Sequence, residues 1–170
     1  MDIFHIVFKT SFGWCGLIKG KKGLKKIFLP ERTKNELLTK IRAYDPLLKF
    51  SEKGFNKEIK AITDYFEGKI KCLSFVLDFS GSTKFQRMVW SETAKIPYGE
   101  TRSYQFIAEI IGKKKSARAV GNALGKNPFP VVIPCHRVVK KDGSPGGFTA
   151  SGGIGLKEEM LELENKWHGA

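Results

Sequence analysis

Apolar and polar positions along the first twenty residues, MDIFHIVFKTSFGWCGLIKG, read as a strand, a turn near Gly13 and a second strand. After GLKKIFLP the spacing changes. ERTKNELLTKIRAY carries Leu37, Leu38 and Ile41 at helical intervals, and Pro46 ends the helix. NKEIKAITDYFEGK repeats the pattern through Ile59, Ile62 and Phe66 and closes at Gly68, and CLSFVLDF then reads as a short, largely apolar strand. The first eighty residues therefore predict a small α/β unit without a catalytic constellation.

Turn residues cluster in SGSTK, which places a boundary that divides the chain into 1–80 and 81–170. Beyond it the pattern is mostly helical. KFQRMVWSETAKI is a helix stopped by Pro97 and the turn PYGE; SYQFIAEIIG follows with Ser103 as N-cap, and SARAVGNALGKN has Ser116 as N-cap and Gly125 near its end. Two short helices joined by a Gly-containing turn suggest a helix-turn-helix. In the last helix, LKEEMLELENKW, a rotation of about 100° per residue puts Leu156, Met160, Leu163 and Trp167 on one apolar stripe. Glu159 and Glu164 flank that stripe, whereas Glu158 and Glu162 lie outside it.

Composition sharpens this picture. At 170 residues with 41% hydrophobic content the chain can bury a core, while 30 Lys and Arg against 17 Asp and Glu leave a net charge of +13. That excess points to anionic partners, nucleic acid first, although a lysine-rich surface can also serve solubility alone. The three cysteines, Cys15, Cys72 and Cys135, form no Cys-x-x-Cys and stand beside no paired histidines, so the expectation is a reduced, cytoplasmic protein with no metal and no cofactor. His5 and Lys9 interrupt the apolar start, which leaves neither a signal-peptide core nor a membrane-spanning run.

Charge and shape meet in SARAVGNALGKN. Ala117, Ala119, Gly121 and Ala123 give that helix a thin body, and Arg118 is its one long basic side chain. A thin helix can pack tightly on its own core or approach another backbone. The lysines at 113 to 115 and at 126 favour DNA as the surface approached.

The chemistry sits in NPFPVVIPCHRVV, where Cys135 and His136 interrupt a segment otherwise fit for a buried strand. Either residue alone is ordinary. Together they can make a nucleophile, because an imidazole can favour the thiolate that a thiol needs in order to react. Neighbours on a strand point to opposite faces, so a working pair requires the chain to turn at Cys135, after Pro134, or a water to bridge the two groups. A carboxylate should orient the imidazole, and the spacing of the last helix leaves Glu159 and Glu164 as candidates.

FQRMVW, IPYGETRSYQFIAEIIG, ARAVGNALGKNPFPVVIPCHRVV, GGF and GLKEEMLELE, together spanning residues 85 to 164, resemble the O6-alkylguanine-DNA alkyltransferases, or methylated-DNA–protein-cysteine methyltransferases. The first eighty residues match only in size and coarse pattern. The resemblance implies an α/β N-terminal domain that is ribonuclease-H-like. It also implies a mainly α C-terminal domain with a winged-helix-like helix-turn-helix. Its partner would be double-stranded DNA carrying O6-alkylguanine, or O4-alkylthymine, bound as a monomer through the minor groove.

Residue by residue, the resemblance makes Cys135 the alkyl acceptor, His136 its base through a water, and Glu164 the partner of His136. Asn127 becomes the hinge between recognition helix and active-site turn. Tyr104 helps rotate the nucleotide and can protonate the leaving guanine. Arg118 fills the gap in the duplex, while Ser116, Ala117 and Ala119 meet the DNA. Val138, Phe148, Thr149 and Ser151 are implied for the alkylguanine pocket, with Thr149 and Ser151 both open as donors to guanine O6. After GGF the chain runs TASGGIGLKEE, slightly longer than the commoner forms, and Phe148 stands where tyrosine is usual.

Three rivals remain at this level. A regulator that uses the helix-turn-helix without chemistry leaves Cys135 and His136 unexplained. Damage sensors related to the alkyltransferases replace the cysteine that is present here. A cysteine hydrolase would need an oxyanion loop that the sequence does not display.

Overall fold

The computed structural model describes residues 3–168. It divides into two compact units, Met1–Asp78 and Phe79–Ala170.

In the first unit, β1 (Phe4–Thr10), β2 (Gly13–Gly20) and β3 (Gly23–Glu31) pair antiparallel. Helix α1 (Lys34–Tyr44) then leads to the two-residue strand β4 (Lys49–Phe50), which lies parallel to β1, so the sheet order is β3-β2-β1-β4. Helix α2 (Asn56–Phe66) follows. Thr33 starts α1 with a capping box in which its hydroxyl accepts from Glu36 N and the Glu36 carboxylate accepts from Thr33 N. Gly16 lets α1 lie close on the sheet: a Cβ there would stand 3.1 Å from Ile41 Cδ1. Leu17, Ile18, Leu37, Ile62 and Tyr65 are fully buried, and burial of each large apolar side chain stabilises by roughly 1.5–3 kcal/mol.

Two features of this unit differ from the sequence pattern. GLKKIFLPE forms the full strand β3, which the pattern did not single out. CLSFVLDF, expected to be a strand, makes only a single parallel bridge, Leu24 to Leu77. The backbone bonds at that bridge are Leu24 N to Val76 O at 2.9 Å and Asp78 N to Leu24 O at 2.7 Å. Burial still alternates along the segment, with Leu73, Phe75 and Leu77 turned inward, so the period was present without the ladder.

The second unit opens with α3 (Lys84–Thr93), started by a capping box of Thr83 and Gln86. Strand β5 (Arg102–Ser103) runs straight into α4 (Tyr104–Ile110), whose Phe106 N donates to Ser103 Oγ. Helix α5 (Ala117–Gly125) comes next, then an irregular segment, a 3₁₀ turn at Cys135–Arg137, and strand β6 (Val138–Val139), which pairs parallel with β5. Helix α6 (Gly153–His168) closes the chain. Val120, Ala123 and Leu124 turn the buried face of α5 to the core, and the indole N–H of Trp90 donates to Ala123 O at 2.9 Å, fixing α5 on α3. Gln105 Nε2 donates to Lys114 O at 2.7 Å and so pins the turn between α4 and α5.

Here too the pattern needs correction. α3 ends at Thr93, short of Ile96. Ser116 occupies the cap position of α5 but makes no side-chain cap bond, because its ψ of 21° is not the extended conformation a capping side chain uses. NPFPVVIP is a series of turns rather than a strand. The buried face of α6 holds Leu156, Lys157, Met160 and Glu164, whereas Trp167 is 37% exposed.

Candidate functional site

Asn127 organises the turns that end at the thiol. Its side-chain carbonyl accepts from Phe129 N at 2.9 Å, and its amide donates to Ile133 O at 2.8 Å, so one buried side chain holds both ends of a loop. Within that loop Val131 has φ of 72°, a left-handed conformation that costs a β-branched residue about 1–3 kcal/mol. Backbone bonds from Ile133 N to Phe129 O and from Cys135 N to Ile133 O, both 2.8 Å, complete it. The chain then turns at Cys135, one of the two ways in which Cys135 and His136 could work as a pair.

Behind the thiol lies a buried ion network. His136 Nε2 is 2.8 Å from Glu164 Oε1. Arg137 grips the same carboxylate with two bonds, Nε to Oε2 and Nη2 to Oε1, each 2.8 Å, and its Nη1 donates to Ile96 O at 2.6 Å. Gly99 N donates to Glu164 Oε2 at 3.1 Å. Burial pushes the Glu164 carboxyl up, but the bonds from His136 and Arg137 prevail and hold it well below the usual carboxylate range. An ionised carboxylate can only accept, which puts the His136 proton on Nε2. Burial, with Arg137 and Lys157 adding to it against the pull of Glu164, lowers the His136 pKa, so the ring is neutral near pH 7 and Nδ1 is an acceptor.

Cys135 as a whole residue is 9% exposed. Burial raises its pKa; the Asn127 side chain, the charge of Lys157 and the backbone N–H groups of Cys135 and His136 work the other way. Lys157 is a fully buried lysine whose Nζ donates to Val138 O at 2.6 Å and also to Pro145 O. Burial brings its pKa down to about 8, against the upward pull of the Cys135 charge. Its ammonium lies 5.7 Å from the Tyr104 ring centroid and 5.9 Å from that of Phe148. Tyr104 is held high, first by burial and then by the Cys135 charge.

A cavity of about 610 Å³ opens onto Cys135. Tyr104 and Phe148 line it, with Ala117, Arg118, Gly121 and Gly125 of α5 and with Thr149 from the loop before α6. Gly146 is required there: at φ of 71° an added Cβ would stand 2.9 Å from Tyr104 Oη. Of the residues implied for the pocket, Val138 and Ser151 do not line it. Val138 is buried in β6, and Ser151 is exposed in the turn that enters α6. Ser116 and Ala119 also lie outside the lining, while Arg118 and Ala119 are exposed on α5. Of the two carboxylates left open by spacing, Glu164 is on His136 and Glu159 is exposed.

Arg137, Lys157 and Gly99 complete the site without having been singled out. Helical spacing could have exposed Lys157, since 157, 160 and 164 share one face of α6. Arg137 carried no such signal, because its partners lie 27 and 41 residues away.

A thiol that opens into a cavity under a thin helix, backed by a buried imidazole and carboxylate, defines the class of proteins that act through a cysteine nucleophile, and comparison with known proteins gives the family. Residues 84–166 match the model described as 6-O-methylguanine DNA methyltransferase, DNA binding domain. The chain is 35% identical over 162 residues to the methylated-DNA–protein-cysteine methyltransferase of Methanosarcina acetivorans, covering 95% of this chain and 98% of that one. A crystal structure of Mycobacterium tuberculosis O6-methylguanine methyltransferase superposes with a TM-score of 0.80 at 34% identity, over 96% of this chain and 93% of that one. A structure of the M. tuberculosis protein in complex with DNA gives 0.81 at 33% identity, over 96% and 94%. The chain belongs to the methylated-DNA–protein-cysteine methyltransferase family.

Proposed function

We propose that the protein repairs DNA by moving the alkyl group from O6 of guanine, and from O4 of thymine, to Sγ of its own Cys135, once per molecule. The observation that carries this reading is the position of Cys135, at the floor of a cavity walled by α5, with the His136, Glu164 and Arg137 network behind it. O6 is hidden in the base stack, so the nucleotide must be turned out before a buried thiol can reach its alkyl carbon. His136 Nδ1 takes the thiol proton through a water. The thiolate attacks the alkyl carbon, the C–S bond forms as the C–O6 bond breaks, and the guanine anion takes a proton from Tyr104. The product is a thioether with no route back to a thiol, which limits the protein to one turnover.

Several finer readings belong to the same proposal. Helices α4 and α5, flanked by the two-stranded sheet of β5 and β6, act as a winged-helix-like helix-turn-helix that enters the minor groove. The small exposed face of α5 supports this, as does the net charge of +13. Arg118 fills the vacated base position, and Ser116, Ala117 and Ala119 meet the backbone. Asn127 is the hinge. The first unit is a ribonuclease-H-like domain, a reading supported by the order β3-β2-β1-β4 with β4 parallel to β1. The protein acts as a monomer in the cytoplasm; among the described residues no helix is long and apolar enough to cross a membrane, and Cys15, Cys72 and Cys135 are free thiols.

Intact mass before and after mixing with a duplex carrying O6-methylguanine tests the central step. One added methyl, mapped to Cys135 and absent in Cys135→Ala, is the expected result. A methyl on Cys15 or Cys72 would overturn the assignment.

A further inference from the structure

The loop between β6 and α6 is fastened at two points. Gly146 packs under Tyr104. Three residues on, Thr149 Oγ1 donates to the carbonyl of Gly125 at 3.2 Å. Gly125 is the last residue of α5, so its carbonyl lies past the helix's own hydrogen-bond ladder and needs an outside donor. The missing side chain makes room for that donor, since a Cβ at Gly125 would stand 3.3 Å from Thr149 Cγ2. Thr149 and Gly125 both line the cavity that holds Cys135.

We infer that Thr149 is a positioning residue, a latch that ties the outer wall of the pocket to the end of α5, and that it does not donate to guanine O6. This rests on the reading of the cavity as the alkylguanine pocket. A threonine hydroxyl has one proton, and here that proton is given to the Gly125 carbonyl. The latch joins the wall to the helix that meets DNA, so whatever moves the end of α5 also moves Phe148 relative to the thiol.

The test uses the full chain with Thr149→Val, which keeps the shape and removes the hydroxyl, and with Thr149→Ser, which restores it. Two quantities are read: hydrogen exchange of loop amides 146 to 149 without DNA, and the saturation kinetics of Cys135 alkylation by free O6-benzylguanine. Thr149→Val should speed exchange and raise the half-saturating concentration, each roughly two- to tenfold, the range that one net hydrogen bond allows. The limiting rate should stay within about twofold, and Thr149→Ser should restore both quantities. A lower limiting rate with unchanged exchange would overturn the latch and make the hydroxyl a donor to the leaving base. No change in either quantity would overturn it as well. If the parent protein failed to react at all, the transfer reading would fall, while the exchange comparison would still decide the latch.

Discussion

Replacing Arg137 by methionine removes three hydrogen bonds at once, two to Glu164 and one to Ile96 O. Glu164 is fully buried and Arg137 is 6% exposed, so solvent cannot replace what is lost. Breaking a buried ion pair from one side costs about 3 to 5 kcal/mol, because the other charge is left uncompensated. At roughly 2–4 °C per kcal/mol for a chain of this size, the melting temperature should fall by about 6 to 20 °C. The charge that helps keep His136 neutral disappears too, so its pKa should rise and the pH profile of alkyl transfer should shift upward. Chemical unfolding of Arg137→Met, Glu164→Gln and the double variant supplies the measurement. The double variant should be clearly more stable than the sum of the single losses implies, since it leaves neither charge alone. Additive losses, or a loss under about 1 kcal/mol for Arg137→Met, would refute the reasoning.

Other outcomes can be checked independently. Arg118→Ala should slow repair of duplex DNA by roughly 1 to 3 kcal/mol in activation terms, the scale of one lost stacking contact, and leave reaction with free alkylguanine nearly unchanged; equal loss on both substrates would make Arg118 a fold residue. Stability should fall on acidification. His136 has its folded pKa below 6.5, so between the two values the unfolded chain binds the proton more readily, and stability complete above 6.5 is lost as pH falls. Glu164, held below 4.5, adds a second loss beneath that pH as it is forced towards protonation. Urea midpoints that stayed flat or rose from pH 7.5 to 5 would contradict the first sign, and midpoints that did so from pH 4.5 to 2.5 would contradict the second.

Much of the site was legible because its chemistry is local. Cys135, His136 and Pro134 are adjacent, and the Ser103 cap and the thin face of α5 follow from short-range rules. The segment before Cys135 misled because apolar content indicates burial without indicating conformation. Asn127 closing on Phe129 and Ile133 turned it into a loop where an apolar run suggested a strand. The α6 stripe was misjudged for a related reason. Lys157 and Glu164 are buried because carbonyls, Arg137 and His136 satisfy them, and those partners come from other elements. β3 carries two lysines among its apolar residues, Lys25 and Lys26; Lys25 ends on Asp78 at 2.9 Å, a pairing that only the folded chain supplies.

The three thiols of this chain differ chiefly in who can reach them. Cys72 is exposed; Cys15 is 1% exposed, with burial raising its pKa to about 12. Cys135 is shielded as well, and burial raises its pKa. A molecule that can act only once has to survive the same electrophiles that create its targets. Selectivity here comes from admission rather than from intrinsic nucleophilicity: the cavity walled by Tyr104, Phe148 and α5 decides what reaches the sulfur.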